Sequence, residues 1–273
     1  MSAEPGFVHL HVHSSYSLLE GALTIARLAD LAKADRQPAL ALTDTDNMFG
    51  ALEFSDKLAG SGVQPIIGVA VAVDFADGEG GPRTGHAAAR PRLVLLAARE
   101  DGYRNLMRLS SRAFLETPSD LVPHIKLEWL EGETGGLIAL TGGPGGPLNC
   151  EFAAGHAERA AARCAILQTL FGDRLYVELQ RQGLAEQRMI EPALVDLAYR
   201  TGIPLAATSE TFFAREDDFE AHDALICIAE GRVVAEAERR QLTPEYRFKS
   251  RAEMLTLFAD LLNAFLDPRL RVA

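Results

Sequence analysis

Short apolar runs recur along the chain at residues 8–12, 39–43, 66–73, 93–98, 137–140, 175–179 and 204–207, each bounded by Gly, Pro or polar residues. Runs this short, apolar at consecutive rather than alternate positions, predict strands covered on both faces, as in a parallel sheet. Amphipathic stretches fill most of the gaps. Within 24–34, Ile25, Leu28 and Leu31 fall on one helical face, and 51–58, 103–115, 156–171 and 186–200 repeat the pattern. After the last of these, Gly202 offers a C-terminal cap and Pro204 bars continuation. Strands alternating with helices make βαβ units. Seven strands with little antiparallel signal predict an α/β protein with a closed or nearly closed barrel, an open doubly wound sheet being the alternative.

Two stretches read as loops. Residues 77–91 (DGEGGPRTGHAAARP) are rich in Gly, Pro and Ala. GGPGGP at 142–147 directly follows a predicted strand, which puts it at the carboxyl end of the sheet, where barrel proteins place their sites. There is no internal repeat and no coiled-coil heptad.

Composition narrows the picture. A length of 273 residues with 48% hydrophobic residues suits one large domain with a real core. No run approaches a membrane span, and the first residues lack the basic and apolar regions of a signal peptide, so a cytoplasmic location is expected. Cys150, Cys164 and Cys227 are widely spaced and form no C-x-x-C pair, which fits reduced structural thiols. The net charge is −11, with 27 basic against 38 acidic residues, a poor match to a phosphate backbone.

The sharpest chemical feature is His9-Leu10-His11-Val12-His13. In an extended strand the three imidazoles share a face and predict a cluster at the strand's carboxyl end, a pattern that points to metal binding. The bland reading is three polar residues on a wet face. Four further features follow predicted strands or open helices: Thr43-Asp44-Thr45-Asp46-Asn47, Val177-Glu178-Leu179-Gln180, Thr208-Ser209-Glu210-Thr211-Phe212 and Ala221-His222-Asp223. Singly they are weak, because acids after a strand also cap helices and form Asx turns. Their order along the strands gives them weight. No phosphate-binding G-x-x-x-x-G-K-[ST] loop, dinucleotide G-x-G-x-x-G or nucleophile elbow occurs. Trp129 and the Phe residues are too scattered for a base-stacking platform.

The stretches FVHLHVHSSYSLLEGA, PALALTDTDNMFGALEF, QPIIGV, RLVLLAAREDGYRNLMRLSS, YVELQRQG and EAHDALICI resemble the PHP (polymerase and histidinol phosphatase) domain that opens bacterial DNA polymerase III alpha subunits. The resemblance covers nearly the whole chain and implies a distorted seven-stranded (βα) barrel, TIM-barrel-like, over residues 1–260. The tail 261–273 departs from the family continuation, and the polymerase palm, with its paired aspartates, lies downstream and outside this chain. The parent family is thus DNA-directed DNA polymerases, which are nucleotidyltransferases, but the residues that polymerise are not here.

Family members with a working site hold about three metals on His, Asp, Glu and Cys ligands. Carried over residue by residue, His11 and His13 match the H-x-H pair, and Glu20 stands where an Asp is usual. Elsewhere the ligands are replaced, by Thr45, Ala70, Arg92, Gly143 and Gln182. The late D-x-H motif reads Glu210-Thr211-Phe212. A hard cation needs most of its shell from the protein, and Ala70, Gly143 and Phe212 offer no side-chain ligand. The resemblance therefore implies a catalytically inactive scaffold in DNA replication that docks the proofreading exonuclease subunit and the remaining polymerase core. The acidic charge implies weak or no nucleic-acid binding by this domain, and with no membrane-length apolar run no membrane contact is expected. No cofactor is expected, with room left for a single Zn, Mn or Mg ion at His11 and His13. Arg92 is expected to pair with Glu178, Glu210 or Asp44. The alternatives are an active metal-dependent phosphoesterase or 3′–5′ exonuclease using His11, His13, Glu20 and Glu210, and a fragment of the error-prone branch of the same polymerase family.

Overall fold

The computed structural model describes residues 6–77 and 90–261. Most of the 77–91 loop and the tail from 262 onward lie outside the described residues. The elements run α1 (Ile25–Ala34), β1 (Ala39–Leu42), α2 (Ala51–Gly60), β2 (Gln64–Asp74), β3 (Arg92–Ala97), α3 (Glu100–Glu116), β4 (Ile125–Lys126), β5 (Leu137–Leu140), α4 (Pro147–Ala153), α5 (Ala157–Phe171), β6 (Leu175–Gln180), α6 (Ala185–Thr201), β7 (Leu205–Thr208), α7 (Phe219–Glu230) and α8 (Arg251–Leu257). The strands form one seven-stranded sheet in the order β1-β2-β3-β5-β6-β7, with the short β4 paired to β2.

The sheet curls into a distorted barrel. Residues 9–13 lie between its two ends. On one side Ala41 N–H donates to His9 O at 2.9 Å and Thr43 N–H to Val12 O at 2.8 Å. On the other, Thr211 N–H donates to His11 O at 3.2 Å and His13 N–H to Thr211 O at 2.9 Å.

Alternate strand residues serve the two sides of this wall, as the period of two requires. Ala39, Ala41, Ile66, Ala70, Val94, Leu96, Leu140, Tyr176 and Ala206 form the interior cluster. Many are alanines, because a narrow barrel has little room. The opposite faces, including Val69, Val71, Leu93, Leu95, Ala139, Val177 and Ala207, pack with residues of α3, α5 and α6. Leu40 and Leu42 pack with residues of α1 and α2. Thr24 caps α1, and Gly202 ends α6 in a left-handed conformation (φ 70), the cap that the sequence predicts there.

Three expectations need correction. β3 runs antiparallel to both β2 and β5, so the barrel is mixed. Residues 8–12 form no regular strand and contribute only an isolated bridge, Val12 to Thr211. β4 carries no apolar run of strand length and was not expected.

Candidate functional site

At the carboxyl ends of β6 and β7 the inward-facing parity passes from Tyr176 and Ala206 to polar side chains: Glu178, Gln180, Thr208 and Glu210. Glu178 is fully buried, and four donors surround its carboxylate. Oε1 accepts from His11 Nδ1 and Gln180 Nε2, each at 2.8 Å, and from Thr208 Oγ1 at 2.5 Å, while Oε2 accepts from Gly142 N at 2.8 Å. Burial alone would raise this carboxyl, but His11 and the other donors outweigh it and hold it below the ordinary value.

The Glu178 bond fixes His11. Its Nδ1 is engaged, so Nε2 turns to the mouth, lying 3.6 Å from Glu210 Oε1. His13 is set the same way. Its Nδ1 meets Ser17 Oγ at 3.1 Å and Thr45 Oγ1 at 3.3 Å, and its Nε2 lies 3.4 Å from the same Glu210 oxygen. Phe212 stacks on the His13 ring (4.5 Å between centroids, 15° between planes) and limits its rotation. Both Nε2 atoms are buried without a hydrogen-bond partner. Burial opposes charge on His11, but Glu178 and Glu210 prevail and raise it. Burial would likewise raise Glu210, yet His11 and His13 hold it down at about 2.

His9 does not join them. Its ring packs edge-on against Phe7 and, at 4.2 Å, against Phe248, with Nε2 against Lys249 O at 2.7 Å. Burial pushes it down to about 4, so it is a neutral core histidine. The alternation argument assumes a regular strand, and residues 8–12 are not one.

The other named positions fall around this centre. Glu20 accepts from Thr45 Oγ1 at 2.5 Å and faces Arg240 at 3.5 Å. Ala70 is buried and bridges to Thr45 through backbone bonds. Gly143 has φ +59, and a Cβ there would lie 2.4 Å from Gln180 Cδ, so the Gln180 amide fills the space a side chain at 143 would need. Gln182 Nε2 donates to Glu210 O at 2.8 Å, tying β6 to the loop that carries Glu210. Arg92 does reach an acid, but it is Asp46, at 3.0 Å, rather than Glu178, Glu210 or Asp44. Asp44 is engaged by Ser14 N, Ser14 Oγ and Ser17 Oγ, and so anchors the N-terminal loop. Asp223 pairs with Arg239 through both oxygens, which is structural, and His222 Nε2 meets Glu20 O at 2.6 Å.

The geometry supplies its own test of metal fit. Two buried imidazole nitrogens with no partner and one carboxylate, all within 4.8 Å of one another, suit a single divalent ion. A carboxylate behind His11 is the usual outer support of a metal-binding histidine. Where the resemblance drawn above implies further ligands, this chain has the methyl group of Ala70, the guanidinium of Arg92, the stacked ring of Phe212 and Gly143, whose side-chain space Gln180 fills, and none of these is a ligand for a hard cation.

Comparison with known proteins gives the family. The PHP domain profile matches residues 9–182. DNA polymerase III subunit alpha of Caulobacter vibrioides is 48% identical over 262 residues, which is 95% of this chain and 22% of that protein. The subunit of Treponema pallidum is 39% identical over 94% of this chain, and that of Rickettsia prowazekii 37% over 96%. The chain thus spans about a fifth of the length of these curated relatives. Among solved structures, an amidohydrolase from Chromobacterium violaceum aligns over 75% of this chain and 87% of its own, at 18% identity and a TM-score of 0.47.

Proposed function

This chain belongs to the PHP domain family, and from that premise we propose that it is the PHP domain of a bacterial DNA polymerase III alpha subunit. Its work in replication is to dock protein, the proofreading exonuclease subunit first and the remaining polymerase core with it. One observation carries the reading: the positions that would complete a multi-ion centre are closed by packing. Gln180 fills the space beside Gly143, Phe212 stacks on His13, and Arg92 is held by Asp46. The barrel behind them is intact, so the fold still presents rigid surfaces.

Charge and surface support the same reading. At −11 the chain neutralises no polyanion without help. Phe49 and Phe114 lie 6.3 Å apart and are 63% and 47% exposed, with Leu52, in the first turn of α2, 76% exposed. Aromatic residues are enriched in protein interfaces, which makes this cluster a candidate docking face. Among the described residues no helix is long and apolar enough to cross a membrane. The test is a Phe49→Ser/Phe114→Ser variant, mixed with the exonuclease subunit and run on size exclusion. Its melting temperature should match the parent within a few degrees while the complex weakens at least about tenfold. An unchanged complex removes this face from the proposal.

A second reading, a single-ion phosphoesterase, draws on the two unpartnered Nε2 atoms. His11, His13 and Glu210 would hold the ion. Once bound, such an ion supplies Lewis acidity and a more acidic bound water. The protein's own part is orientation: Glu178 directs His11, Thr45 and Ser17 direct His13, and Gln182 holds the Glu210 backbone. Hydrolysis of a phosphoester by the purified chain in Mn²⁺ or Zn²⁺, lost in His13→Ala, would favour this reading over the first.

A further inference from the structure

Four carboxylates, Glu20, Asp46, Glu178 and Glu210, gather around the barrel mouth, and grouped, partly buried acids need counter-charge. The chain supplies it from an unexpected strand. Because β3 is antiparallel to β2, its first residue, Arg92, lies opposite Ala72, near the carboxyl end of β2. A parallel β3 would have put this residue at the other end of the barrel. From here its Nη2 reaches Asp46 Oδ2 at 3.0 Å, with only 31% of the side chain exposed. Glu20 and Glu210 also favour its charge.

Asp46 is the residue through which that charge acts. Its backbone is left-handed (φ 57), a conformation that a non-glycine residue keeps only when its surroundings hold it. Three contacts do so: Asp46 N–H donates to Ala70 O at 2.8 Å, Oδ1 accepts from Ala72 N at 2.8 Å, and Oδ2 meets Arg92. The loop pinned in this way carries Thr45, which bonds Glu20 and faces His13.

We propose that Arg92 is a built-in cation, a positioning residue that takes over the electrostatic task of a bound ion on the Asp46 side of the mouth and holds the 44–47 loop in place. This half of the site is therefore complete without metal. The inference goes beyond the docking function and stands whether or not a partner binds.

The experiment is a charge cycle on the 273-residue chain, read by thermal unfolding in EDTA. Arg92→Gln should lower the melting temperature by about 5–10 °C, because it strands a partly buried carboxylate. Arg92→Lys should lose no more than about half of that, since it keeps the charge. Adding Asp46→Asn to Arg92→Gln should restore at least about half of the loss, because it removes the stranded charge and keeps the acceptor for Ala72 N–H. The parent chain should melt within about 2 °C of its EDTA value in millimolar Mg²⁺. Three results overturn the proposal: Arg92→Gln melting like the parent, Asp46→Asn deepening its loss, or a parent chain that needs Mg²⁺. If Arg92→Gln alone does not fold, the double variant decides, supporting the proposal if it melts cooperatively and overturning it if it too stays unfolded. Exonuclease-subunit binding should be unchanged in Arg92→Lys, so a failure of docking is read separately.

Discussion

Replacing Glu178 by Gln should be among the most damaging single changes at the mouth. The carboxylate is fully buried and accepts from His11, Gln180, Thr208 and Gly142 N–H. An amide of the same shape cannot accept at both ends, so at least one donor faces an NH₂ group and His11 loses the nearer of its two counter-charges, keeping only Glu210. Breaking a buried ion pair from one side costs roughly 3–5 kcal/mol. In a chain of this size that lowers the melting temperature by about 8–15 °C. The effect should vary with pH. His11 is raised in the folded chain, so its contribution is full below its unfolded value and is lost as pH rises through the folded one. Glu178 is depressed, so its contribution is present above the unfolded carboxyl value and is lost as pH falls through the folded one. The gap between parent and Glu178→Gln should therefore be widest near pH 5.5 and narrower at high pH. The assay is thermal unfolding of both proteins from about pH 5 to 9. A gap under about 2 °C at pH 5.5, or one that does not change with pH, would refute the reasoning.

Other expectations follow from the same contacts. His9 is held at about 4 by burial, so stability present above its unfolded value is lost as pH falls through the folded one; His9→Gln should flatten this acid limb in urea titrations. Gly143→Ala should cost about 2–4 kcal/mol from its φ of +59 and the Gln180 clash, and Gln180→Ala should recover only the steric part, as chemical denaturation will read. Metal analysis after equilibration with Zn²⁺ should find at most one ion per chain, falling at least about tenfold in affinity in Glu178→Ala, and two ions near full occupancy would contradict the fit argument.

Most elements were legible because a buried strand and an amphipathic helix each leave a periodic signal. The orientation of β3 was not, since a strand covered on both faces is equally apolar in either direction. That one reversal brings Arg92 to the Asp46 side of the mouth, where it meets Asp46 and not Glu178, Glu210 or Asp44. His11, His13 and Glu210 are candidates from local motifs, and the structure brings them together, whereas Glu20 is taken up by Thr45 and Arg240. His9 was misread because strand alternation fails where residues 8–12 leave regular pairing. Arg240 had no local signal at all, its distance from Glu20 being set by how the chain after α7 returns to the mouth. Gln180 could have been suspected from Gly143, because a glycine after a strand at such a site implies that something else occupies its side-chain space.

The central claim is that this barrel serves replication by holding protein. The direct measurement mixes the purified chain with the exonuclease subunit, and separately with primed DNA, at physiological salt, and reads both by isothermal titration. The account predicts a saturable one-to-one complex with the exonuclease subunit and no measurable heat with DNA. Tight binding to DNA with no protein complex would contradict it.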